Sequence, residues 1–282
     1  MNADASPHPG MLVLDLDGTA LRSDSSIDPA DRAAVDALRE LGVVVTIATG
    51  RIFSGTRDIA AGFGITGLVA CANGSELLEA PTGRVHAGYY LTALDRRFVR
   101  NVYEAHGLSG ALLTTAEVHH DAAALDQRRF LESWSSRLVG YSDRIASAVW
   151  EGAPAANAVV GLGDGAQSQG AYEELLRSRP DLETIFVRDY DGERSFIKTR
   201  RSDVDKGTAL RTLAERHGVP VERTVAVGDW HNDTPMLKVA GRAFAARGAP
   251  PEVSAAAQRL DTVRGAGGIV AEVARRAWGV RA

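Results

Sequence analysis

Two stretches of this chain carry short, unbroken apolar runs that alternate with amphipathic helical segments, and a differently patterned stretch separates them. Residues 11–14 read as a buried strand that ends at Asp15. Asp28 and Pro29 then open a helix as N-cap and first helical residue. Ala34, Val35, Leu38 and Leu41 give that helix one core-facing stripe. Gly42 ends it, and residues 43–48 form a second buried strand. A helix over 53–62 and a strand over 68–70 follow. Strands that are apolar along their whole length must be covered on both faces. The rhythm therefore predicts a parallel sheet of the doubly wound, Rossmann-like α/β class.

After about residue 80 the rhythm breaks. Residues 76–78 and 85–90 flank Ala80-Pro81-Thr82-Gly83, which reads as a hairpin turn. A helix over 92–106, a strand over 111–115 and a helical stretch over 122–138 come next. A strand over 157–162 and a helix over 169–177 precede two runs, 184–188 and 194–199, that bracket the turn signal Asp191-Gly192. This mixture predicts a separate α+β unit. The doubly wound pattern resumes near residue 200, with a helix over 206–217, a strand over 224–227 and short elements at 235–239, 243–245, 251–258 and 269–278. The expected organisation is one α/β core built from residues 1–81 and 198–282, with an α+β cap domain inserted at 82–197.

Composition narrows the function classes. The chain's 282 residues suit two domains, or one domain with a large insertion. Lys and Arg number 32 against 36 Asp and Glu, a net charge of −4. That balance argues against a nucleic-acid or anionic-membrane partner. One cysteine, Cys71, excludes an intrachain disulfide and fits a reducing compartment. The opening residues show no signal-peptide pattern, and no apolar run reaches spanning length. The expectation is a soluble cytoplasmic protein, a monomer or small homo-oligomer.

Four segments stand at the predicted carboxyl ends of strands, the edge where open α/β sheets bind ligands. Asp15-Leu16-Asp17-Gly18-Thr19 sets two carboxylates two residues apart at a sharp turn. One can serve as nucleophile and the other as acid–base. In Thr46-Ile47-Ala48-Thr49-Gly50-Arg51, a hydroxyl and backbone N–H groups at a strand-to-helix junction suit a phosphate oxygen. Lys206 begins a helix, where a cation opposes the macrodipole and so needs a nearby anion. Gly228-Asp229-Trp230-His231-Asn232-Asp233 offers two carboxylates four residues apart, a hard-oxygen set of the kind Mg2+ takes. Read singly, the second and third segments are better explained by a capped strand end and a solvated lysine.

Taken in order, DLDGT, the ATGR threonine, the lysine of DKGTAL and GDWHND resemble the four motifs of the haloacid dehalogenase-like (HAD) phosphatases. Ala72-Asn73-Gly74-Ser75 and the placing of the insertion resemble the Cof-like branch. The resemblance implies a Mg2+-dependent phosphomonoesterase. Asp15 would be the nucleophile that carries a phosphoaspartate. Asp17 would be the acid–base, with its carbonyl on the metal. Thr49, Gly50 and Lys206 would hold the phosphoryl oxygens. Asp229 would ligate the metal, and Asp233 would ligate it or steady its waters. Arg51, Asn73, Trp230, Asn232 and Arg247 are the possible substrate contacts. Members of this branch often carry a Met-Gly-Asn-Ala-like run where this chain has residues 246–250. Arg247 there either meets a second anionic group or lies on the surface.

The implied substrate is a small phosphorylated metabolite such as a sugar or polyol phosphate, selected by the cap. A phosphosugar mutase, a non-catalytic phosphosugar-binding module and an aspartate-phosphorylated receiver domain are the rival readings. The intact acidic set and the long insertion count against the last two. His119 and His120 point to opposite faces of a strand and cannot readily share an ion. Cys71 reads as a buried small side chain, Trp134 and Trp150 as packing within the insertion, and Trp230 as a core contact or a gate.

Overall fold

The computed structural model describes residues 10–152, 155–188 and 194–280. It forms two compact units. The first takes the chain up to Thr49, Asp58–Arg84 and everything from Asp205 on; the second takes Gly50–Arg57 and Val85–Val204. The turn expected at Asp191-Gly192 lies outside the described residues.

In the first unit, β1 (Met11–Leu14), α1 (Pro29–Glu40), β2 (Val44–Ile47), α2 (Arg57–Gly62), β3 (Leu68–Cys71) and β4 (Glu76–Glu79) follow one another before the chain leaves along β5 (Arg84–Gly88). The expected helix over 53–62 is a short 3-10 turn, Phe53–Gly55, followed by α2. Asp28 caps α1 as expected, accepting from the Ala30 N–H.

The second unit is built from α3 (Ala93–Ala105), β6 (Ser109–Thr114), β7 (Val118–His120), α4 (Arg128–Trp134), β8 (Leu138–Gly140), α5 (Ser147–Gly152), β9 (Ala156–Asp164), α6 (Gly165–Ser178), β10 (Leu182–Arg188) and β11 (Arg194–Arg201). Its six strands run in the order β10-β11-β9-β6-β7-β8. Every pairing is antiparallel except β7 with β8. Val99, Val102, Tyr103, Leu112, Trp150 and Val159 anchor its apolar core. Trp134 is buried edge-on against Phe196, with ring centroids 5.5 Å apart. The stretch expected to be helical over 122–138 divides into a 3-10 turn, α4 and the start of β8. Ser135 takes an extended backbone at the end of α4, and the chain then pairs with β7 instead of continuing the helix.

The chain re-enters the first unit with α7 (Lys206–Arg216), β12 (Thr224–Gly228), α8 (Thr234–Val239), β13 (Arg242–Arg247), α9 (Pro251–Ala255), β14 (Gln258–Val263) and α10 (Ile269–Trp278). The core sheet is wholly parallel, ordered β14-β13-β12-β1-β2. A single parallel bridge, Ala48 to Ala70, extends the order toward β3. From β1 the chain winds one way through β2 and β3; from β12 it winds the other way through β13 and β14. The border of β1 and β12 is thus the topological switch point, where the carboxyl ends of the strands open a crevice. β1 and β12 are buried at every residue, as strands covered on both faces must be. Among the described residues, no helix is long and apolar enough to cross a membrane.

Candidate active site

Asp15 leaves the end of β1 at the switch point, its N–H bonded to the Val227 carbonyl of β12 at 3.1 Å. The next turn is irregular. Gly18 has φ +81°, and a Cβ there would stand 2.5 Å from Asp229 Oδ2, so only glycine lets the two loops close on each other. At the end of β12, a Cβ on Gly228 would likewise collide with the Asp233 side chain. The first approach brings residues 15–19 against residues 229–233, and the second folds the 228–233 loop tightly on itself.

Lys206 joins the group from the first turn of α7. The Asp205 side chain caps that helix, accepting from Thr208 N–H, so the helix end is satisfied without the lysine. The lysine itself is wholly buried. Its ammonium donates to Asp15 Oδ1 at 2.5 Å and to Asp233 Oδ1 at 2.6 Å. Those anions explain why a cation stands where the macrodipole disfavours it. Asp233 Oδ2 accepts from the Asp229 and Trp230 N–H groups at 2.8 and 2.9 Å. Both Asp233 oxygens are thereby engaged, one holding Lys206 and one holding the loop.

Asp229 is fully buried. Its Oδ1 accepts from the Thr19 hydroxyl at 2.8 Å. Its Oδ2 is buried and receives no hydrogen bond among the described residues. The Arg264 guanidinium lies 2.7 Å from that oxygen, as an ion pair without hydrogen-bond alignment. Thr19 and Arg264 were not singled out from the sequence. Thr19 at least stands in the first motif. Arg264 follows an edge strand that carries no motif at all.

Thr49 is buried, and its carbonyl accepts from the Asn73 N–H at 2.8 Å. Asn73 has φ 57° and Ala72 φ 50°, consecutive left-handed residues that a non-glycine chain adopts only when its surroundings force them. Asn232 Nδ2 donates to Asn73 Oδ1 at 2.9 Å. The loops carrying Thr49, Asn73 and Asn232 are therefore tied together. Asp17 is exposed beside the buried Asp15. Trp230 is 45% exposed, and Arg247 is exposed at the end of β13. Gly50 and Arg51 cluster with the second unit, where Arg51 reaches the Gly55 carbonyl at 3.5 Å.

The electrostatics are unbalanced. Burial, then the neighbouring Asp233 and Asp229 charges, push the Asp15 carboxyl well above the usual range, against the pull of Lys206. Burial and Asp233 push Asp229 up as well, opposed by Thr19, Arg264 and Lys206. Burial disfavours the Lys206 ammonium, but Asp15 and Asp233 outweigh it and raise the lysine above its ordinary value. Ligand oxygens of Asp15, Asp229 and Asp233 lie within 4.8 Å of one another. Three carboxylates, one of them with a buried oxygen that accepts no hydrogen bond, form a hard donor set short of positive charge. That set fits a divalent cation such as Mg2+.

The chain belongs to the haloacid dehalogenase-like hydrolases, whose family model matches residues 12–272. Within that family it is a phosphatase of the Cof-like branch. It is 24% identical to an HMP-PP phosphatase of Serratia proteamaculans (strain 568), over 90% of this chain and 89% of that one. It is also 24% identical to the 5-amino-6-(5-phospho-D-ribitylamino)uracil phosphatase YitU of Bacillus subtilis (strain 168), over 83% and 84% of the two chains. A haloacid dehalogenase-like hydrolase from Bacteroides thetaiotaomicron superposes with a TM-score of 0.80 at 22% identity, covering 95% of this chain and 99% of the other.

Proposed function

We propose that the protein is a Mg2+-dependent phosphomonoesterase that hydrolyses a small phosphorylated metabolite, such as a sugar or polyol phosphate, through a phosphoaspartate on Asp15. The observation that carries the reading is the Asp15–Lys206–Asp233 chain of contacts beside an Asp229 oxygen that accepts no hydrogen bond among the described residues. A phosphate monoester is a dianion and repels a carboxylate nucleophile. Mg2+ held by Asp15, Asp229 and the Asp17 carbonyl would neutralise that charge.

The protein's own groups supply the rest. Asp15 is fixed at the end of β1 and aimed by Lys206, so its attack on phosphorus needs little reorganisation. The Lys206 ammonium and the Thr49 hydroxyl stabilise the equatorial oxygens as the leaving bond breaks. Asp17, more exposed than Asp15, gives its proton to the leaving alkoxide and then takes one from the water that cleaves the phosphoaspartate. The bonds that Asp233 already makes favour a role in holding Lys206 and the Asp229 loop over direct ligation. Asn73 and Asn232 tie together two of the loops beside the site. Two relatives of equal identity with different named substrates support a small phosphometabolite without choosing one.

The test is phosphate release from a panel of phosphometabolites with Mg2+, with the Asp15→Asn protein alongside. Wild-type turnover by Asp15→Asn would sink the nucleophile assignment. Stoichiometric transfer to a second sugar hydroxyl, with little free phosphate, would move the reading to a mutase.

A further inference from the structure

The two oxygens of Asp229 are treated differently. Oδ1 takes the Thr19 hydroxyl, whereas Oδ2 accepts no hydrogen bond among the described residues and has the Arg264 guanidinium at 2.7 Å. The same guanidinium lies over the Trp230 ring, 4.6 Å from its centroid. A cation against an aromatic face is held without needing hydrogen-bond alignment. The Arg264 backbone is fixed, with its N–H on the Arg247 carbonyl at 3.0 Å. The next residue, Gly265, donates to the Gly18 carbonyl of the Asp15 turn at 2.8 Å. The side chain, by contrast, is 35% exposed while Asp229 is wholly buried. It can leave the carboxylate without disturbing the loop that carries it. A guanidinium and a divalent cation drawn to one carboxylate oxygen repel each other, so each weakens the other's hold on it.

We propose that Arg264 is a built-in counter-cation of Asp229 that competes with a divalent cation for Oδ2 and is kept beside the site by Trp230. The proposal rests on the metal reading above. Arg264 then competes with Mg2+ and sets how tightly the protein holds it. Mg2+ binding also changes the contact between Arg264 and the Trp230 indole.

The experiment titrates the purified full chain with Mg2+ alone, by calorimetry and by tryptophan emission. The variants are Arg264→Gln, Arg264→Lys, Arg247→Gln, Trp230→Phe and Asp229→Ala. Arg264→Gln is expected to bind Mg2+ about three- to tenfold more tightly than wild type, because a partly exposed competitor has been removed. Arg264→Lys, which keeps the charge, should fall between them. The wild type should show a Mg2+-dependent emission change that both Trp230→Phe and Arg264→Gln abolish. Unchanged or weaker Mg2+ binding by Arg264→Gln overturns the proposal. So does equal tightening in Arg247→Gln with no Trp230-dependent signal, which would be a long-range charge effect. Absence of Mg2+ binding by the wild type, with Asp229→Ala no different, overturns the metal reading and this proposal with it.

Discussion

The two units of the molecule bury charge in opposite ways. In the second unit, Arg96 is almost wholly buried among backbone carbonyls, donating to Leu91, Trp150 and Glu151 at 2.5 Å each. Its contacts are neutral acceptors, and their effect is to tie α3 to the end of α5. In the first unit, Lys206 is buried among carboxylates that repel one another, and Asp15 and Asp229 are both pushed away from their ionised forms. The first arrangement serves stability. The second is poor for stability and has a rationale only in chemistry, since perturbed groups of this kind gather where a reaction needs them.

Three substitutions and one titration probe that contrast. Asp15→Asn should lose at least about a thousandfold in phosphate release, because the nucleophile is gone. Its melting temperature should stay level or rise, because one member of a self-repelling set has been neutralised. A marked drop in melting temperature would make the cluster a stabilising element and erase the difference between the units. Lys206→Met should lose activity and also about 3–5 kcal/mol of stability, since Asp15 and Asp233 are left without their shared cation. Denaturant unfolding beside the turnover assay reads both effects. Arg96→Met should lose about 2–4 kcal/mol by stranding buried carbonyls. Its turnover per folded molecule should fall by less than about tenfold, and a larger fall would give the second unit's buried charge a chemical role.

The smallest effect concerns Asp31 in α1. Burial raises its carboxyl from an ordinary value of 3.8 to about 6, although it accepts from the Ala271 and Gly268 N–H groups that open α10. The folded state therefore binds more protons than the unfolded state between those values. The stability this group contributes is complete below pH 3.8 and is lost as pH rises through about 6, a change of about 3 kcal/mol at most. The Asp31 carboxyl carbon should titrate near pH 6 by NMR. A midpoint below 4 would show that the helix-end donors outweigh burial.

The core was legible because local chemistry and tertiary need agree there. Continuous apolar runs at residues 11–14 and 224–227 can only be strands covered on both faces, and Asp28-Pro29 caps and opens α1 whatever packs on it. Asp15, Asp17, Asp229 and Asp233 stood out because charged residues at the ends of apolar strands have few structural reasons to be there, and Lys206 gained meaning only beside them, as a cation at a helix N-terminus that needs an anion. β14 did not stand out: only Leu260 of its residues is buried, and its strand character comes from pairing with β13. β8 and α5 were missed for a related reason, being short elements whose identity depends on β7 and α3.

What the residue order settles, then, is the α/β class, the edge of the sheet where the polar side chains gather and the kinds of group collected there. Periodicity and strand-end chemistry are properties of neighbours along the chain. What only the folded molecule decides is which oxygen faces which cation. Thr19 and Arg264 divide Asp229 between them, and Asp233 spends both oxygens on Lys206 and its own loop. Those assignments depend on a few ångströms of approach between segments up to 210 residues apart, closed by Gly18 and Gly228. No local pattern encodes such a distance, because it is set by the packing of β1 against β12 and of β13 against β14.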